Sequence, residues 1–257
     1  MFDHSDGIYL PEPSQAERDI TGASSHHCVA HTVLGDGHGA HKQAESLLEL
    51  HNLFLLNAMM NVIGLQEQVR FYYGWDPKDP QQHIFDVVVT LDCGSRVAIA
   101  VKPEIRLVSG SFETEMQEVA WWVYEHGFAD DVRIMSEADI NPVDLRNAKI
   151  LAAVREADPE ADAVALEVVR GLPAGGGGQS LRDLTLSTGM AARGYRSLIR
   201  LIRSGVLRLQ QHEVIGPKVV VMNATAKGTV IDLHNRKGLI VRSFDADSSN
   251  VGQQTAA

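Results

Sequence analysis

The chain has 257 residues, of which 44% are hydrophobic and 22% charged, and a formal net charge of −10. That length can bury one large core or two small ones, and that charge argues against wholesale coating of nucleic acid while leaving room for a local basic face. No apolar run approaches the roughly 18 residues of a membrane span. The opening "MFDHSDGIYLPEPSQAERD" lacks the basic start and apolar stretch of a secretory signal, and two cysteines, Cys28 and Cys93, imply no disulfide framework. These features predict a cytoplasmic protein with no membrane partner.

Residues 1–40 are rich in Gly, His, Ser and Asp and read as an irregular arm. Its His26, His27, Cys28, His31 and His38, with His41 just beyond, match no regular zinc spacing. "GDGHG" lacks the strand-to-helix context and the lysine of a phosphate loop. "QAESLLELHNLFLLNAMM" (43–60) places Leu47, Leu48, Phe54, Leu55 and Met59 near helical spacing and predicts an amphipathic helix. "LQEQVRFYYGW" (65–75) reads as a strand and "DPKDPQQ" as a turn-rich loop. "HIFDVVVTL" and "RVAIAVKP" read as strands flanking the short loop "DCGS".

A second helix is expected over 111–128, stopped at Gly127, and then a strand and turn in "DVRIMSEADI". "DLRNAKILAAVREA" and "EADAVALEVVRGL" read as helices split near "DPE", where Pro159 suits a first helical position. "PAGGGGQS" is a flexible loop. "LRDLTLSTGMAARGYRSLIRLIRSGVLRLQ" then reads as helix, turn, helix and strand, and "HEVIGPKVVVMN" completes a β-ribbon. That order is a winged helix-turn-helix. Leu181, Leu184, Leu198, Ile199, Ile202 and Leu207 form its core stripe, Gly189 its turn and Gly205 a helix end. The polar tail beyond residue 244 reads as disordered.

The order helix, strand, hairpin, helix, strand has a chemical meaning. In a metal-dependent nuclease the hairpin strands carry carboxylates that bind Mg²⁺, and a lysine stabilises charge developing at phosphorus. Here Glu49 supplies a helix carboxylate, Asp86 a strand carboxylate and Lys102 the cation. The period of two predicts that Ala100, Lys102 and Glu104 share one strand face. Ala100 stands where a second strand acid is usual and offers no side-chain oxygen. The main-chain carbonyl of Val101 remains a hard ligand, and Glu104 lies on the same expected face as an accessory acid. Taken singly, a Glu on an amphipathic helix reads as a solvated face, an Asp opening a strand as a loop edge and a Lys before Pro as a strand end. Glu45 replaces Glu49 if the helix register shifts. In the winged helix, Arg193, Arg196, Arg200 and Arg203 fall at steps of three, four and three and share one helix face, suited to DNA phosphates or to a protein partner.

"ESLLEL" with Glu49, "LQEQV" with Gln68, "HIFDVVV" with Asp86, "AVKP" with Lys102, "EHGF" and "VRIMSEADI" together resemble the TnsA-like transposon endonucleases of the PD-(D/E)xK nuclease superfamily. The segment after them is similar to the winged-helix C-terminal domain of that family. The resemblance implies an α/β fold, with a restriction-endonuclease-like mixed sheet flanked by helices over 41–147. Around it lie the arm 1–40, a winged helix over 148–244 and a tail over 245–257.

It further implies an endonuclease that cuts 5′ strands at transposon ends, using Mg²⁺ with Mn²⁺ as a substitute. Its catalytic residues are Glu49, Asp86 and Lys102, its metal ligands Glu49, Asp86 and the Val101 carbonyl, with Gln68 accessory. The implied partners are double-stranded transposon-end DNA, a DDE-type transposase and an ATPase regulator, in a bacterial cytoplasm and at the nucleoid when assembled. The superfamily carries Glu, Asp or Gln where this chain has Ala100. A nuclease-fold protein that binds DNA or partners without cutting is therefore the alternative. A second alternative is a winged-helix transcription regulator, which predicts an apolar pocket within 41–150 and no clustering of Glu49, Asp86 and Lys102.

Overall fold

The segments "AHTVL" and "AHKQA" lie on either side of a turn that holds Gly35, Gly37 and Gly39, all at positive φ. In the computed structural model, which describes residues 9–18, 20, 28–172, 177–224 and the backbone of 242–243, they pair as an antiparallel hairpin, β1 (Ala30–Leu34) and β2 (Ala40–Ala44). The expectation of an irregular arm through residue 40 is thus corrected. The Gly and His content hides two five-residue strands whose partners lie within reach of one tight turn. A predicted domain start at residue 41 falls inside β2.

Helix α1 (Leu47–Asn57) starts later than residue 43 because β2 uses Gln43 and Ala44, and Ser46 caps it by accepting from the Glu49 amide. Leu53, Leu55 and Leu56 are buried, whereas Leu47, expected in the apolar stripe, is exposed. Strands β3 (Val62–Tyr73), β4 (Gln81–Leu91) and β5 (Arg96–Val101) form an antiparallel meander. Pro103 ends β5, and the short helix α2 (Glu104–Leu107) and the longer α3 (Ser111–Glu125) carry the chain to β6 (Asp131–Met135). β6 pairs parallel to β5, as a helical crossover requires. The sheet is therefore mixed, in the order β3-β4-β5-β6, with helices on both faces. Val88, Ala98, Ala100, Val132 and Ile134 pack on the α3 side with Met116, Val119 and Val123. Val87, Val89, Val97, Ile99 and Val101 pack on the α1 side with Leu53 and Leu56.

The alternation breaks at one point. Leu65 belongs to the α1 side but Val69 to the α3 side, and Val87 and Phe85 divide in the same way. A strict period of two would keep each pair on one face. Gln68 and Asp86 lie between them, and Gln68 takes φ of +52°, a left-handed conformation rare for a side-chain-bearing residue. The faces of the β3–β4 ribbon are exchanged there.

Beyond a 3₁₀ turn at Glu137–Asp139, α4 (Pro142–Ala152) is capped by Asn141 and packs on α1. Leu151 joins the C-terminal core and Ala152 the α1-side core, so the expected boundary at 147/148 lies within one continuous helix. Helix α5 (Pro159–Arg170), with Pro159 at its first position, precedes β7 (Gln179–Ser180), α6 (Leu181–Thr188), α7 (Ala191–Arg203), β8 (Leu207–Leu209) and β9 (Val220–Asn223). β7, β9 and β8 form a three-stranded antiparallel sheet over a core of Leu181, Leu184, Leu198, Ile199, Leu207 and Val221, with Ile202 partly buried. Gly189 turns the chain at φ +66°. Gly194 lets α7 pass close to α6, because a Cβ there would stand 2.0 Å from the Thr188 hydroxyl.

Strand β10 (Arg242–Ser243) pairs antiparallel to the outer edge of β6. The remaining tail, residues 173–176 of the Gly-rich loop, and His26 and His27 lie outside the described residues. Among the described residues no helix is long and apolar enough to cross a membrane.

Candidate functional site

The β4–β5 ladder runs from Thr90↔Arg96 to Val87↔Ile99 and stops. Beyond it the strands part, and the next inward-facing amide, that of Val101, would be left without an acceptor. The Asp86 carboxylate fills that gap: the Val101 amide donates to its Oδ2 at 2.6 Å. A residue's amide and carbonyl face the same neighbouring strand, so the Val101 carbonyl is directed to this fork as well.

Helix α1 supplies the second acid. The Glu49 carboxylate folds back over the helix start, where its Oε2 accepts from the Glu45 amide (2.9 Å) and its Oε1 from the Ser46 hydroxyl (2.8 Å). Burial raises its pKa. Those two hydrogen bonds and the charge of Lys102 oppose the rise, and Glu45 adds to it. Asp86 is pushed up to about 7, first by burial and next by the charge of Glu49, against the pull of the Val101 amide, Lys102 and Arg18. Glu49, Asp86 and Lys102, which are far apart in sequence, therefore share one electrostatic neighbourhood.

Lys102 lies one residue past β5. Its amide donates to the Met135 carbonyl (2.9 Å), and its ammonium stands 5.2 Å from the centre of the Phe112 ring. Its charge, after burial, also helps to push His83 down to about 4, so His83 is neutral at pH 7.

Gln68, fully buried, lies across the ribbon from Asp86 and donates from Nε2 to Glu49 Oε2 at 3.4 Å. Its Oε1 accepts from Arg18 Nε (3.1 Å) and Nη2 (2.6 Å), and Arg18 also pairs with Glu45. Sequence reasoning missed Arg18 and His83. The former lies in a stretch without periodicity and the latter in an ordinary strand pattern.

One sequence expectation needs correction. Glu104 does not share a strand face with Lys102: Pro103 ends the extended run, and Glu104 opens α2 with its amide donating to Glu137 Oε2 at 2.9 Å. Ala100 is only 1% exposed and packs in the apolar core under α3. Position 100 is thus a core position in this chain.

The arginine face of α7 is also differently employed than its spacing suggests. Arg193 forks onto Asp158 (2.8 Å twice) and reaches Glu160 (2.7 Å), Arg200 pairs with Asp162 (2.7 Å) and Arg203 with Asp36 (2.7 Å). Arg196 donates to the Ala153 carbonyl at 3.4 Å. The stretch without acids is answered by acids from the start of α5 and from the β1–β2 turn.

Among the described residues no group of three or more His, Cys, Asp and Glu side chains is placed to hold a metal ion. The fork offers two carboxylates and a main-chain oxygen. That is a small set, but Mg²⁺ commonly keeps several waters and takes one or two carboxylates. The charge of Glu49 raises the proton affinity of the buried Asp86, an effect that a cation at the fork would oppose.

The regulator alternative predicted an apolar pocket within 41–150. An apolar cavity of about 140 Å³ lies where the end of α1 and α4 meet β8, lined by Leu55, Met59, Leu151, Ile202, Leu207 and Ile215, so residues from both sides of position 150 wall it. No protein-family model matches the chain, and no curated protein matches it.

Proposed function

We propose that the protein is a metal-dependent DNA endonuclease, with its site at the fork between β4 and β5. The observation that supports this reading is the Asp86 carboxylate bonded to the Val101 amide where the two strands part, under the influence of the charges of Glu49 and Lys102. Glu49, Asp86 and the Val101 carbonyl would hold Mg²⁺ or Mn²⁺, and the bound ion supplies positive charge to the scissile phosphate. Lys102 stabilises the negative charge that develops on the phosphate oxygens as water attacks. Glu49 and Asp86, when ionised, orient and accept protons from water at the fork. The helical hairpin α6–α7 with its β8–β9 ribbon is read as the winged helix that accompanies such a domain.

The finer reading follows the resemblance in the sequence. The protein acts as the subunit of a heteromeric transposase that cuts 5′ strands at transposon ends, beside a DDE-type transposase and an ATPase regulator. The test is cleavage of a labelled transposon-end duplex by the full assembly in Mg²⁺ or Mn²⁺. Loss of 5′-strand cutting in Asp86→Ala, with 3′-strand processing retained, supports it; equal cutting by Asp86→Ala and wild type overturns it.

Ala100 favours a second reading, a nuclease-fold protein that binds DNA or its partners without cutting. A side chain with no oxygen, set in the core, leaves two acids at the fork. This reading predicts assembly and DNA binding with no metal-dependent cleavage by wild type.

A further inference from the structure

The segment before β1 is tied to the sheet on both sides of Gln68. Glu12 bridges to the hairpin, its amide donating to the Gly39 carbonyl and its carbonyl accepting from the His41 amide, each at 2.8 Å. Farther on, the Gln15 carbonyl accepts from Gln66 Nε2 (2.9 Å), the Glu17 amide donates to the Gln68 carbonyl (3.1 Å) and the Glu17 carboxylate accepts from the Arg70 amide (2.8 Å). Ser14 donates to the buried Glu67, which also faces Lys42 at 2.8 Å. These bonds deliver Arg18 to the fork, where its side chain is one-third exposed.

We propose that Arg18 belongs to the functional site and binds a phosphate oxygen of duplex DNA there, alongside Lys102. This rests on the DNA reading of the fork. Three observations carry it. The first is position: the Arg18 guanidinium bonds the same Gln68 amide that touches Glu49, and its charge reaches Asp86. The second is strain: Gln68 holds a left-handed backbone inside a strand, a conformation that persists only where its surroundings over-determine it and that gathers at functional sites.

The third is chemistry. The fork otherwise presents Glu45, Glu49 and Asp86 to a polyanion with Lys102 as the opposing cation. A guanidinium offers a planar pair of donors matched to two phosphate oxygens. Arg193, Arg200 and Arg203 of α7 are held by carboxylates away from the fork, whereas Arg18, although paired with Glu45, keeps one-third of its side chain exposed beside Gln68, so it joins Lys102 as a cationic contact there.

The test uses the full chain and a fluorescent duplex of about 30 base pairs, with anisotropy read over a salt series without divalent ions. Arg18→Ala is expected to weaken binding about tenfold and to reduce the slope of log K against log salt by about one. Arg18→Lys keeps the slope and recovers part of the affinity. Arg170→Gln, which removes an exposed arginine on α5, leaves both unchanged.

A slope in Arg18→Ala equal to wild type, with only a lower melting temperature, overturns the proposal, as does a wild type that binds no duplex. If Arg18→Ala fails to fold, Arg18→Gln against Arg18→Lys decides, and equal slopes overturn it. A wild type that never cuts, combined with the slope change, defeats the nuclease reading and leaves Arg18 standing. Cutting by wild type with no slope change in Arg18→Ala does the reverse.

Discussion

Asp86 accepts the Val101 amide at 2.6 Å across the opening between β4 and β5. One carboxylate thereby closes the end of the β4–β5 ladder. Its proton affinity is set by burial and by Glu49, with Lys102 and Arg18 acting the other way.

That balance gives a pH-dependent stability. Asp86 titrates near 7 in the folded chain against an ordinary 3.8, so its ionised form disfavours folding. The cost is fully present above about pH 7, shrinks as the folded protein takes up the proton first, and is gone below about pH 4. Asp86→Asn keeps an acceptor for the Val101 amide and removes the charge. It is expected to stabilise the protein by about 1–3 kcal/mol at pH 8 and by little at pH 4, read from chemical denaturation at both values.

Ala100→Glu is expected to destabilise rather than restore a site. The new carboxylate would enter the core beneath α3, where overpacking and a buried polar group together cost about 3 kcal/mol or more. Urea denaturation measures the loss. A variant as stable as wild type and newly able to cut in Mn²⁺ would show that position 100 opens to the fork.

Gln68→Gly and Gln68→Ala separate strain from bonding. Both lose the links to Glu49 and Arg18, but only glycine takes φ of +52° without cost from a Cβ. The glycine variant is expected to be the more stable of the two by about 1 kcal/mol in parallel denaturation curves.

Asn147 clasps α4 to the loop before β9. Its Nδ2 donates to the Glu213 carbonyl (2.9 Å) and its Oδ1 accepts from the Ile215 amide (2.8 Å). Asn147→Ala strands a buried amide and is expected to cost about 2–3 kcal/mol. Asn147→Asp keeps the acceptor but turns a carboxylate oxygen toward the Glu213 carbonyl and buries a charge, so it is expected to lose at least as much at pH 7. Thermal melts rank the three proteins.

Sequence alone determined the features that depend on local spacing. Apolar periodicity located α1 with Glu49, the β4–β5 hairpin with Asp86 and Ala100, and the helix-turn-helix around Gly189, because helices and strands repeat over a few residues. Pro159 and Gly189 did so through backbone geometry, one suiting a helix start and the other a turn at positive φ.

What only the tertiary structure decided is which distant groups meet. Arg18 joins Gln68 across 50 positions and Arg203 joins Asp36 across 167, and no periodicity encodes either pair. The spacing of the α7 arginines correctly implied one face, but the acids of α5 and of the β1–β2 turn settled what that face touches. Glu104 looked like a strand-face neighbour of Lys102, but β5 ends at Val101 and the chain turns at Pro103 into α2. A left-handed Gln68 left no trace in the residue pattern, since its conformation is imposed by Arg18, Glu49 and the two strands that hold it. Local order followed from short-range sterics and burial, whereas the site was assembled by long-range charge and hydrogen bonding that the folded chain alone brings into range.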